Sequence, residues 1–169
     1  MSTVTLLHTL FKYQAWANGE FLEKMKNFDA ELHHDHRHSA MRLMNHTCTV
    51  SQIFAAHLSG TKHNLSTDNP PDVPSLDTLR EALAASDRWY LEYLQTLTPG
   101  QLSESIPFVF TDGDKGYMSR EEMLTHVITH NGYHRGEVGR IMGQLSLPLP
   151  WDTYAVYLHQ AEPERRLKT

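Results

Sequence analysis

The sequence predicts an all-α protein: a four-helix bundle with a small hairpin insertion between its third and fourth helices and a short C-terminal helix. Three observations point there. Apolar residues recur at three- and four-residue intervals over four separate stretches. Residues that cap or stop helices bound those stretches. One segment alone, SIPFVFTDGDKGYMS, has extended rather than helical character. Four amphipathic helices joined by loops of unequal length bury their stripes against one another, which makes the bundle the expected architecture.

Residues 4–27 read as the first helix, with Leu7, Leu10, Phe11, Ala17, Phe21 and Met25 on its apolar face. A polar run, NFDAELHHDHRH, follows and is expected to be loop. Ser39 is the expected N-cap of a second helix over 40–58, whose stripe is Leu43, His46, Val50, Ile53 and His57. Gly60 closes it. Pro70, Pro71 and Pro74 make Thr61–Ser75 a loop. Ser75 then caps a third helix carrying Leu79, Leu83, Tyr90, Leu94 and Leu97, which Pro99-Gly100 ends. The hairpin turns at Asp112-Gly113. Ser119 and Glu122 form a capping box that opens a fourth helix of roughly 119–145. Pro148 and Pro150 forbid its continuation, and Asp152 is the expected cap of a final helix over 153–160. The tail EPERRLKT is expected to fray. Periodicity does not give the order of the helices around the bundle.

Composition narrows the function. A chain of 169 residues without internal repeats reads as a single domain, 1–169. Its mean hydropathy is −0.49, and no apolar run approaches the ~20 residues that span a bilayer. The first residues lack the basic and apolar regions of a secretory signal, so a cytoplasmic protein is expected. One cysteine, Cys48, fits a reducing compartment. A net charge of −5 without a dense Lys/Arg cluster argues against nucleic acid as a partner. Twelve histidines are the anomaly.

Three of those histidines, His126, His130 and His134, stand four residues apart in HVITHNGYHRGEVGRIM. Neighbours at that interval lie about 6 Å apart along a helix axis, a spacing at which two ring nitrogens can close on one ion at ~2.1 Å. His46 sits between Leu43 and Val50 in the second helix, and His130 and His134 are expected to continue the stripe of Met123, Val127, Ile141 and Leu145. Imidazoles thus stand where apolar side chains are expected. Each one buried without a partner costs ~1–3 kcal/mol, and a shared metal ion explains all of them at once. The bland alternative is that each has its own local hydrogen bond. Positions eight apart rise about 12 Å and turn about 80°, so His126 and His134 cannot share an ion. The pair is either His126/His130 or His130/His134, and spacing does not decide.

The other polar anomalies read as structural. His57 lies about 16 Å along the helix from His46 and is expected in core or interface. Cys48 points about 200° away from His46, as a buried inert thiol. His33, His34, His36 and His38 fall in the expected loop. Gly132, Gly136, Gly139 and Gly143 share one face of the fourth helix, at a cost of roughly 3–4 kcal/mol in helix propensity. That cost predicts close packing there, by the segment around Trp151 or by a second subunit.

Several of these segments resemble the DinB-like (DinB/YfiT) superfamily. HVITHNGYHRGEVGRIMGQL is similar to its signature helix, where a histidine pair precedes Arg-Gly. MNHTCTVSQIF resembles its second-helix ligand segment, YQAWAN its first-helix pattern, and LPLPWDTYAVYL its Pro-rich turn and terminal helix. The resemblance implies a bundle of up-down-down-up topology, commonly a homodimer, and one divalent transition metal per chain held by His46, His130 and His134. Zinc and nickel are the leading ions, with iron compatible.

Relatives of this kind include transferases and isomerases that use mycothiol, bacillithiol or glutathione. The resemblance therefore implies a metal-dependent enzyme of the low-molecular-weight-thiol S-transferase type, with a small-molecule substrate. A metal-dependent hydrolase is its variant, and a non-catalytic bundle in which the ion clips helices together is the competing class. No residue in the sequence is assignable as a thiol-binding site. His126 and Glu137 are the candidate proton carriers on the ligand helix.

Overall fold

The computed structural model describes residues 2–167. Its helices are α1 (Thr3–Lys24), α2 (His34–Ser59), α3 (Leu76–Thr96), α4 (Arg120–Gln144) and a short α5 (Tyr154–Ala161). Between α3 and α4 lie β1 (Ser105–Val109) and β2 (Lys115–Ser119), paired antiparallel. The caps expected at Ser75, Ser119 and Gly60 are in place. The side chains of Ser75 and Ser119 accept from the backbone N–H groups of Thr78 and Glu122, and Glu122 reaches back to the Ser119 N–H at 2.7 Å. Gly60 ends α2 with φ of 68°, and Gly113 turns the hairpin with φ of 95°, both left-handed conformations that favour glycine.

Helix direction follows from which residues share a core. One cluster joins Phe21, Leu22 and Met25 to Met41, Met44, Leu79, Leu83, Ile141 and Met142. The other joins Leu7 and Phe11 to Phe54, Leu58, Tyr90, Leu94, Met123 and Val127. The end of α1 and the end of α4 therefore meet the starts of α2 and α3 at one pole, and the reverse holds at the other. That is the up-down-down-up arrangement. Around the bundle α1 packs on α3, α3 on α2, α2 on α4 and α4 on α1. The crossover of residues 61–75 returns the chain along the length of the bundle so that α2 and α3 run parallel. Among the described residues no helix is long and apolar enough to cross a membrane.

Four local expectations are corrected. First, α2 begins at His34, well before the expected start near 40. The Asp29 carboxylate accepts from the N–H groups of Glu31 and Leu32, and the resulting turn runs directly into the helix. His34, His36 and His38 are thus exposed positions on its first turns rather than loop residues, and His33 is the N-cap. No apolar periodicity marks this polar run, so the pattern conceals it.

Second, Thr153 caps α5, accepting from the Val156 N–H at 3.3 Å, while Asp152 turns inward. Third, the tail forms a 3₁₀ turn over Pro163–Arg165 before its end, residues 168–169 lying outside the described part. Fourth, the glycine face of α4 is not tightly covered within the chain. A Cβ at Gly139 would touch Phe21 at 3.6 Å and one at Gly143 would touch Leu149 at 3.7 Å, both ordinary contacts, and one at Gly136 would meet nothing within 4 Å.

Candidate metal centre

The α2–α4 seam carries the histidines. The residues of α4 that enter the core are Met123, Leu124, Val127, Asn131, Arg135, Val138, Ile141 and Met142. His130 and His134 therefore flank this stripe instead of continuing it, half-buried and facing α2. His46 does the same on α2, beside a buried stripe that runs through Met44, Thr47 and Cys48.

The three rings converge. His46 Nε2 lies 3.1 Å from His130 Nε2, and His134 Nε2 lies 3.2 Å from the same atom. All three ligand atoms fall within 4.8 Å of one another, a set that could hold a metal ion. Nitrogens each about 2.1 Å from one ion stand roughly 3.0–3.4 Å apart, so both short spacings fit. His126 is not in the set. Its ring is 5.4 Å from that of His130 and lies against Phe54 at 4.6 Å. Of the two pairs that spacing left open, the fold brings His130/His134 to His46.

Chemistry at the far side of each ring sharpens this. His46 donates its Nδ1–H to the backbone carbonyl of Asp68 at 2.8 Å. His134 donates its Nδ1–H to the Glu137 carboxylate at 2.5 Å. Neither partner can donate, so in the neutral form of each ring the lone pair lies on Nε2, and both lone pairs point at His130. A neutral His130 has one proton to offer two acceptors, and its own Nδ1 is buried without a hydrogen-bond partner. A cation would satisfy the three Nε2 lone pairs together, which a proton cannot do. Burial, followed by the neighbouring charges of His134, His46 and His126, drives the His130 pKa down to about 3, so this ring stays neutral, as a ligand must.

The chain supplies these supports from unexpected places. Asp68 belongs to the long crossover, which is tied to α2 by Arg42 to Asn69 at 3.1 Å and Asn45 to the Asp72 carbonyl at 3.4 Å. Glu137, a candidate proton carrier by sequence, is instead committed to orienting His134, one turn of helix away. Cys48 is 3% exposed, and burial pushes its thiol up to about 12, which leaves it inert at neutral pH.

Sequence reasoning missed a second polar assembly at the bundle's centre. Arg135 is 1% exposed; its Nε donates to Asp152 at 2.8 Å and its Nη1 to Asn18 at 3.2 Å. Asn18 and Gln14 donate in turn to the buried carboxylate of Asp87, each at 3.0 Å, and the Tyr13 hydroxyl donates to Asp152. The signal was present. Gln14 and Asn18 sit between Phe11 and Phe21, and Asp87 between Leu83 and Tyr90, all at helical intervals on apolar faces. This network joins α1, α3, α4 and the segment before α5, and so fixes the rotation of α4 that aims its histidines at α2.

The profile of the DinB family matches residues 1–166. The chain belongs to the DinB family. Among its relatives is Protein DinB of Bacillus subtilis (strain 168), 24% identical over 92% of this chain and 95% of that protein. Among solved structures, a DinB-like protein from Bacillus cereus ATCC 10987 superposes with a TM-score of 0.59 at 21% identity, covering 82% of this chain and 90% of the other. At that identity the likeness speaks to the fold, and the two share the helical bundle expected of the family.

Proposed function

We propose that the protein is a divalent-metal-dependent enzyme of the low-molecular-weight-thiol S-transferase type, with His46, His130 and His134 holding one transition-metal ion. The observation that carries this reading is the convergence of three Nε2 atoms, two of them on rings whose opposite nitrogen faces an acceptor. Three protein ligands leave a coordination position free, the pattern of catalytic rather than closed structural zinc sites. Zinc, nickel and iron(II) all suit imidazole ligands. Such an ion, held by uncharged rings, keeps its full charge and lowers the pKa of a thiol or water that reaches it.

The rest of the work falls to side chains of this protein. The Asp68 carbonyl and Glu137 orient two ligand rings and keep them in the required tautomer. Phe54 and Phe108, both buried, give the cavity on one side of the cluster an apolar wall. His126, kept neutral by burial, is the base placed to take the proton that the thiol sheds. In the transfer the sulfur forms a bond to an electrophilic carbon, and the bond from that carbon to its halide or epoxide oxygen breaks.

The ligands also join two helices, which favours the second reading of a structural clip, and one experiment separates the two. Protein loaded with zinc or nickel is assayed for consumption of a small thiol in the presence of an epoxide or aryl halide, then melted with and without chelator. The enzyme reading expects turnover that vanishes on chelation while the fold persists. No turnover together with a melting point that collapses on chelation would establish the clip instead.

A further inference from the structure

A cavity of about 220 Å³ opens beside the three-histidine cluster, between α2, α4 and the hairpin. His46 and His130 form part of one wall. Val50, Ile53, Phe54, Phe108 and Phe110 supply most of the remainder, with His126 between them and the cluster. For scale, an apolar cavity of about 150 Å³ holds a benzene molecule.

The hairpin builds this wall by a specific device. Phe108 is the one buried residue of β1, and it pairs in register with Gly116 of β2. A Cβ at Gly116 would lie 2.3 Å from the tip of the Phe108 ring, so only glycine leaves room for it. The ring then stands 6.0 Å from Phe54 and 5.0 Å from His57. Arg120 anchors the hairpin to the bundle by donating to the Leu58 carbonyl at 2.8 Å and to Glu104 at 3.1 Å. The wall is therefore part of the fold rather than a loose flap.

Charge decides what such a space accepts. No Lys or Arg lines it among the described residues, and Asp68, at its rim, is the one carboxylate. The other imidazoles that line it, His57 and His126, carry no fixed charge. An anionic group placed among the aromatic rings, away from the cluster, would lose its hydration with nothing there to replace it. Flat apolar surface, by contrast, would meet aromatic rings on several sides.

We infer that this cavity seats an uncharged aromatic group of the substrate, one or two rings in size, whose polar end reaches the three-histidine cluster. The inference rests on the metal-site reading above and adds to it the chemical class of the electrophilic partner. Phe108 and Ile53 are then specificity-determining residues.

Hydroxamates with one chelating head and different tails test this by calorimetric titration of the zinc-loaded protein. Benzohydroxamate is expected to bind at least about tenfold more tightly than acetohydroxamate, since its phenyl ring is buried. Para-carboxybenzohydroxamate is expected to lose that gain. Ile53→Trp, which fills the cavity, should erase the preference for the phenyl tail over the methyl tail. The comparison of tails on the unaltered protein stands whether or not that variant folds. Equal affinity for all three hydroxamates overturns the aromatic seat and leaves the metal reading intact. A folded protein that takes up no zinc and binds none of them overturns both.

Discussion

His46 and His130 lie 84 positions apart in the chain, yet their Nε2 atoms stand 3.1 Å apart across the seam between α2 and α4. With His46 committed to the Asp68 carbonyl through Nδ1, the approach brings a bare lone pair toward a second imidazole. The single proton of a neutral His130 can satisfy this contact or the one with His134, whereas a cation satisfies both.

That relationship predicts the outcome of removing either partner. His46→Ala and His130→Ala should each abolish stoichiometric uptake of zinc or nickel, read by elemental analysis of untagged protein after dialysis. One tightly held ion per chain in either variant would sink the ligand assignment. His126→Ala should retain the ion, since its ring stands outside the cluster.

Glu137 acts on the ion only through His134. Glu137→Gln keeps the side-chain shape but replaces a carboxylate acceptor with a weaker one. Metal affinity should fall about 10- to 100-fold, measured by competition with a chelating dye, with the fold unchanged by circular dichroism. An affinity within twofold of the original would show that the 2.5 Å hydrogen bond does not orient the ligand.

Acid should destabilise the metal-free protein through His130. Its folded pKa is near 3, below the ordinary 6.5, because burial and then the neighbouring histidines disfavour its charged form. Between those two values the unfolded chain binds the extra proton and the folded chain does not. The stability linked to this ring is thus fully present above about pH 6.5 and is lost as pH falls toward 3. Denaturant titrations of metal-free protein should show that slope, and His130→Asn should flatten it. An unchanged slope in that variant would place the acid sensitivity elsewhere.

Asp152 neutralises a guanidinium that has almost no access to water. Asp152→Ala leaves Arg135 with Asn18 as its remaining hydrogen-bond partner and should cost about 3–5 kcal/mol, read from chemical denaturation. A loss below about 1 kcal/mol would mean that Asp87 or water takes over the role. The same variant should also weaken metal binding, because Arg135 sits one residue from His134 and holds the rotation of α4.

Much of the bundle was legible because its signals are local. The capping box at Ser119 and Glu122, the stop at Gly60 and the turn at Asp112-Gly113 act within a few residues and appear in the structure as read. The start of α2 was not legible. Its first turns carry histidines and no apolar residue, so periodicity had nothing to register there. Asp152 was misread for a related reason: a carboxylate before a helix is a good cap by local rules, and its pairing with an arginine on another helix is not a local fact.

By itself the sequence determined four amphipathic helices, their ends apart from the start of the second, the hairpin, and a histidine pair of ligand spacing, because hydrogen bonding and side-chain periodicity along one segment need no knowledge of another. Spacing along α4 left two pairs possible, and resemblance alone favoured the later one. Tertiary structure decided which imidazoles meet, through the rotation of α4 set by the Arg135 network and the facing of α2. It also decided that Asp68, on a loop with no visible motif, fixes the tautomer of His46. Convergence of atoms from distant segments is a property of packing, and packing is settled only when every helix has found its neighbours.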